Sequence, residues 1–217
     1  MLWYNKNMDK NTKVKIVFDE LVNMFPNPEC ELNFNSNFEL LVAVMLSAQC
    51  TDKRVNMVTN TLFKKYNTPQ DFANLKQEEL EKLIFSTGFY HNKAKNIIQM
   101  SKQLINDYNG VLPETSDELV KLAGVGKKTA NVVSSVAFGA KEIGVDTHIF
   151  RVTNRLGLVN SKSPDQTEKM WKKLYPNYLG DEYHYRLVLF GRYHCTARNP
   201  KCNECNLKDI CKFYKKR

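Results

Sequence analysis

Apolar residues in this chain recur at steps of three and four, and nowhere do they alternate over a sustained stretch. An α-helix turns once every 3.6 residues, so that spacing gathers them on one face, whereas a half-buried strand needs a period of two. Val14, Val17, Phe18, Leu21, Val22 and Phe25 form one stripe, and Val55, Val58, Leu62, Phe63 and Tyr66 a second. Leu80, Leu83 and Ile84 make a third, and Ala94, Ile97, Ile98, Leu104, Ile105 and Tyr108 a fourth. Phe38–Leu46 is apolar nearly all round, the pattern of a central helix buried on every side. Turn signals at Asn67-Thr68-Pro69, Thr87-Gly88, Asn109-Gly110 and Pro113 separate the stripes. The expected fold class is all-α.

Length and composition narrow this further. A chain of 217 residues, 42% of them hydrophobic, suits one large domain or two small ones with a real core. The longest apolar run, Leu40–Leu46, falls far short of the ~20 residues of a membrane span. The opening MLWYNKNMDK lacks the apolar centre of a secretory signal. Both point to an intracellular protein with no membrane partner. Four of the six cysteines lie between Cys195 and Cys211, which in an intracellular chain reads as a metal or cluster site rather than a disulfide framework. The net charge of +9 is concentrated at one end, where Arg186–Arg217 holds nine basic residues against two acidic ones. That bias fits a polyanionic partner, because a cation set against a phosphate releases counterions, and equally fits a merely solvated basic surface.

The most informative stretch is Thr115–Ala137, TSDELVKLAGVGKKTANVVSSVA. Thr115 with Glu118 reads as a capping box opening a short helix. Gly124, Val125 and Gly126 then make a sharp turn whose backbone N–H groups no side chain covers, at the positive end of the following helix, where a phosphate can sit. Lys127 and Lys128 occupy the first turn of that helix, where the dipole and the neighbouring charge both disfavour the ammonium form. A lysine nucleophile needs such tuning, since only the free amine attacks carbon. Phosphate binding or simple solvation is the other use of such a pair.

The string LAGVGKKTANVV followed by VDTHIFRV, together with ELNFNSNFELLVAVMLSAQCTD, TGFYHNKAKNII and the cysteine group, resembles the helix–hairpin–helix Gly/Pro…Asp DNA glycosylase superfamily, and within it the endonuclease III family. The resemblance implies that Lys128 is the catalytic nucleophile and Asp146 its catalytic partner. Asp146-Thr147-His148 also has the form of a helix start with the aspartate as N-cap, a role worth ~1 kcal/mol on its own. The related adenine-mismatch glycosylases lack a lysine at the position of Lys128, so its presence implies a bifunctional enzyme. The implied activity is removal of oxidised or ring-saturated pyrimidines through a lysine Schiff base, with cleavage of the strand 3′ to the site by β-elimination. A monofunctional glycosylase and a non-catalytic DNA-binding module are the alternatives.

A base must leave the duplex to be processed. The family fills the gap with a glutamine and a bulky residue, which fall on Gln49 and Phe89, the latter where leucine is common; core packing is the other reading of Phe89. Cys50 and Ala123 also depart from the family pattern, which has alanine and proline there, and the loss of proline is expected to soften the hairpin. Cys195, Cys202, Cys205 and Cys211 are spaced C-x6-C-x2-C-x5-C. Zinc sites more often present two short knuckles, whereas four thiolates hold one corner each of a 4Fe–4S cubane. The spacing matches the family's cluster loop, so one 4Fe–4S cluster per chain is expected, with zinc as the alternative. Arg192, Arg198, Lys201 and Lys208 are expected to set that loop against DNA phosphates, beside Gly124, Val125, Gly126 and Lys127 of the hairpin. The family fold implies a six-helix domain at 30–140, with the hairpin motif at about 115–137. It also implies a second helical domain, 1–29 plus 141–217, carrying the loop 195–211, and a cleft between the two. The expected partner is double-stranded DNA with a damaged pyrimidine or abasic site. The expected state is a monomer, placed in the cytoplasm at the nucleoid, with an organellar or nuclear location as the alternative.

Overall fold

A computed structural model describes residues 8–216, and among these there is no strand. The expected second domain includes residues 1–7 and 217, which lie outside the described residues. Eleven α-helices follow in order: α1 (Lys10–Met24), α2 (Asn37–Leu46), α3 (Asp52–Leu62), α4 (Pro69–Asn74), α5 (Gln77–Ile84), α6 (Tyr90–Tyr108), α7 (Ser116–Leu119), α8 (Lys127–Phe138), α9 (Thr147–Leu156), α10 (Pro164–Leu174) and α11 (Asp181–Leu189). None of the described helices is long and apolar enough to cross a membrane. The chain divides into two compact units, Cys30–Ala140 and Met1–Glu29 with Lys141–Arg217.

The Cys30–Ala140 unit is built around α2. Every residue from Phe38 to Leu46 is buried, and α3, α6 and α8 pack around this helix. The helix starts because Ser36 accepts a hydrogen bond from the Glu39 N–H at 3.2 Å, satisfying a donor that the first turn leaves over. Helices α4, α5 and α6 form one side, with Phe72, Leu80, Ile84 and Ile97 fully buried between them. Leu83, on the third stripe, lies at its margin and is 36% exposed. The turn signal at Asn67-Thr68-Pro69 proves to be a helix start: Thr68 and Asp71 form a reciprocal capping box with Pro69 in the first turn. The box expected at Thr115 is only half made. Thr115 accepts from Glu118 N at 3.3 Å, but the Glu118 carboxylate binds Tyr108 OH and Lys121 Nζ instead of reaching back.

The other unit has its own core, in which Val14, Val17, Phe18 and Leu21 of α1 meet Trp171, Tyr175, Phe190 and Leu207. Its buried aromatics place their polar ends on carbonyls: Trp171 Nε1 donates to Tyr178 O at 2.9 Å and Tyr175 OH to Leu158 O at 2.8 Å. Not all of the basic tail is available to a partner. Arg186 is 6% exposed, paired with Glu182 at 2.6 Å, and donates to the carbonyls of Phe25 and Pro26.

Candidate functional site

The hairpin joins α7 to α8 through Leu122-Ala123-Gly124-Val125-Gly126. Val125 is 4% exposed and anchors the turn in the core. The two glycines do different work. Gly124 has φ +74, and a Cβ there would lie 2.6 Å from the Asn96 Cβ on α6, so no side chain fits. Gly126 has φ −80 and open space around it; as N-cap of α8 it offers no side-chain acceptor to the first-turn N–H groups. The helix dipole adds to the attraction of this turn for an anion. Lys127 and Lys128 are both exposed on this turn. Ala123 gives the hairpin a contact that the family's proline would not. Its N–H donates to Gln103 Oε1 at 2.7 Å, a bond that proline, lacking the hydrogen, does not make.

Two exposed tips of the same unit carry the residues read as gap-fillers. Gln49 has φ 55 and Phe89 φ 49, both left-handed conformations that non-glycine residues seldom adopt. Phe89 is 61% exposed, which removes core packing as its role.

Asp146 belongs to the other unit. It is the N-cap of α9, with Oδ1 accepting from Ile149 N at 2.8 Å, and among the described residues Oδ2 has no hydrogen bond. Capping thus uses one oxygen and leaves the second open for chemistry.

The four cysteines of the tail, none of them in a disulfide, line one pocket together with Leu156, Phe190, His194 and Phe213. No three His, Cys, Asp or Glu side chains among the described residues converge as they would on a single ion. Thiols ringing a cavity in this way suit a cubane, which spreads its four ligands over its corners. Among the described residues the buried Nε2 of His194 has no hydrogen-bond partner, and His194 lines the same pocket. A cluster sulfur is the kind of acceptor it lacks. Burial pushes the Cys205 thiol up to about 11 and the Cys195 thiol upward as well. Binding iron to these two must therefore displace protons.

The residues that hold this loop carry no motif in the sequence. Arg151 and Arg155, four apart on α9, read as further basic charge, yet both turn to backbone carbonyls. Arg151 donates to Cys195 O at 3.1 Å and Gly191 O at 2.6 Å. Arg155 donates to Thr196 O at 2.7 Å and Ala197 O at 3.0 Å, lies 3.6 Å from Cys195 Sγ and covers the Phe213 ring at 4.4 Å. Gly191 makes this close approach possible, since a Cβ there would meet His148 Cβ at 2.9 Å. Arg198 and Lys201 stand exposed on the loop, while Arg192 and Lys208 are partly buried.

Residues 42–177 match the family model of HhH-GPD superfamily base excision DNA repair proteins, and residues 195–211 that of the iron–sulfur binding domain of endonuclease III. Endonuclease III of Bacillus subtilis (strain 168) is 51% identical over 206 residues, 94% of each chain. The chain belongs to the endonuclease III family. Endonuclease III of Escherichia coli (strain K12) is 45% identical over 191 residues, 88% of this chain and 90% of that one. Among solved structures, a trapped endonuclease III–DNA covalent intermediate superposes with a TM-score of 0.91 at 48% identity, covering 97% of this chain and 99% of the other. A thermostable thymine-DNA glycosylase, at 24% identity and a TM-score of 0.84 over 95% of this chain and 99% of its own, shares the fold. As an endonuclease III family member the chain is a base excision repair enzyme, a DNA glycosylase and abasic-site lyase that binds DNA and carries a 4Fe–4S cluster.

Proposed function

We propose that the chain excises oxidised or ring-saturated pyrimidines from double-stranded DNA, with Lys128 as nucleophile and Asp146 as its acid–base partner. The observation that carries this reading is the placement of an exposed lysine in the first turn of α8, directly after a glycine cap that offers no side-chain acceptor. Backbone and nucleophile are thereby held in register on one rigid element. The free amine of Lys128 attacks C1′; the C1′–N bond breaks and its electron pair leaves with the base. Loss of the amine proton and opening of the sugar ring give an iminium. Removal of a C2′ proton then expels the 3′ oxygen with the C3′–O electron pair. Asp146 accepts the lysine proton and stabilises the cationic sugar.

In this reading the Gly124–Gly126 backbone and Lys127 hold the phosphates, and Gln49 and Phe89 occupy the vacated stack. Cys195, Cys202, Cys205 and Cys211 ligate the cluster. When bound, it supplies metal–thiolate links that fix the loop, so that Arg192, Arg198, Lys201 and Lys208 face the DNA backbone. The two compact units correspond to two domains of a protein acting as a monomer inside the cell, at the nucleoid.

The test is borohydride reduction during reaction with a duplex holding one thymine glycol. A covalent protein–DNA adduct is the expected result; base release without adduct would make the enzyme monofunctional, and neither activity, on this lesion or an abasic site, would leave a DNA-binding module. Asp146→Asn separates its two roles. Asparagine caps a helix as well as aspartate does, so the melting temperature should hold while turnover falls on the order of 10²–10⁴-fold. Unchanged turnover would reduce Asp146 to a cap.

A further inference from the structure

One lysine of the Cys30–Ala140 unit is buried. Lys93, near the start of α6, is 7% exposed and lies in register with Ile97 on the buried face of that helix. Its Nζ donates to Leu46 O at 2.8 Å and to Thr87 O at 2.9 Å, and among the described residues no carboxylate pairs with it. Burial lowers its pKa. An ammonium held by two carbonyls in a core costs several kcal/mol of desolvation that a methionine of similar length would not. What the ammonium supplies instead is a directional link between two segments far apart in sequence. Leu46 ends α2, three residues before Gln49; Thr87 ends the 3₁₀ turn Phe85–Thr87, two residues before Phe89. Both tips are exposed and left-handed, a strain of about 1–3 kcal/mol each that persists only when the surroundings enforce it.

We propose that Lys93 is a positioning residue that clamps the roots of the Gln49 and Phe89 tips, presenting the two side chains as one preorganised wedge for the gap left by an extruded nucleotide. The proposal rests on the reading of those two residues as gap-fillers. Lys93 is no second nucleophile, since its amine is buried and engaged by both carbonyls. The clamp acts only where a stacked duplex must be opened and refilled. A single strand has no gap to fill.

The experiment compares wild type, Lys93→Met, Phe89→Ala and the double variant, all with cluster bound. Borohydride-trapping rates are measured on a thymine-glycol duplex and on a single-stranded abasic oligonucleotide. A 2-aminopurine beside the lesion reports unstacking. For Lys93→Met the duplex rate should fall on the order of 10–100-fold, the cost of a displaced positioning group. The single-strand rate should fall far less, and the 2-aminopurine signal should weaken. In the Phe89→Ala background Lys93→Met should cost less than it does alone, because one of the two groups it positions is already gone. Equal losses on both substrates, additive losses in the double variant, or a duplex rate equal to wild type would each overturn the clamp. If Lys93→Met yields too little folded protein, Lys93→Gln, which keeps one donor group, undergoes the same comparison and is judged by the same duplex-to-single-strand ratio. A wild type that traps on neither substrate would overturn the lyase reading itself. Trapping by wild type with no preferential loss in the variant overturns the clamp alone.

Discussion

Lys128→Ala should lose strand cleavage and borohydride trapping by on the order of 10³-fold or more, the usual consequence of deleting a nucleophile, while binding the same duplex within about twofold, as expected when other groups supply the phosphate contacts. The structure explains why the two properties separate. Phosphate contacts in this reading belong to the Gly124–Gly126 backbone and to Lys127, whereas Lys128 supplies the amine. The substitution should not harm the fold either. Lys128 is exposed, has no ion pair among the described residues, and sits where the α8 dipole disfavours a cation. Its removal should leave stability unchanged or raise it by about 0.3–1 kcal/mol. Binding by gel shift, trapping and a thermal melt on one preparation give all three readouts. Trapping that survived in Lys128→Ala would move the Schiff base to another amine.

The second large effect concerns the cluster. Cys202→Ser should abolish the brown absorbance and most of the bound iron and sulfide, because a serine hydroxyl is a poor substitute for thiolate at a soft-metal site. Leu207, Ile210 and Cys211 of the same loop are buried in the core that also holds α1. Losing the cluster should therefore lower the melting temperature of the unit as well as its affinity for DNA, since metal binding at such a site is part of the folding free energy. Cys30→Ser and Cys50→Ser, which do not line that pocket, should retain full iron. Acid should act in the same direction as the serine variant. Protons compete with iron for the four thiolates, so a falling pH favours release of the metal. Full iron and sulfide in Cys202→Ser would strike this cysteine from the ligands.

Much of the architecture was legible because helical periodicity and glycine placement are local properties. The Phe38–Leu46 run, the hairpin at Gly124–Gly126 and the Asp146 cap all read directly from neighbouring residues. What the chain hides is the use of long polar side chains. Lys93, Gln103, Arg151, Arg155 and Arg186 look in sequence like ordinary surface residues, yet each reaches a backbone carbonyl or amide of a distant segment. No spacing rule reveals such bonds. Only Lys93 left a local trace, standing four residues before Ile97 on the buried stripe of α6. The half-made box at Thr115 failed for a related reason, since Tyr108 and Lys121 compete for the Glu118 carboxylate.

The bond from Ala123 to Gln103 makes two positions twenty residues apart interdependent. Proline, usual in the family at the position of Ala123, stiffens the turn through its ring but has no hydrogen to give. Alanine surrenders the ring and gains the donor that Gln103 accepts. The two solutions cannot be mixed freely: proline introduced opposite Gln103 would strand a polar amide at the hairpin, and an apolar residue at 103 opposite Ala123 would leave an N–H without its partner. A single substitution at 103 or 123 should therefore cost more than the paired exchange of Ala123 for proline and Gln103 for an apolar residue.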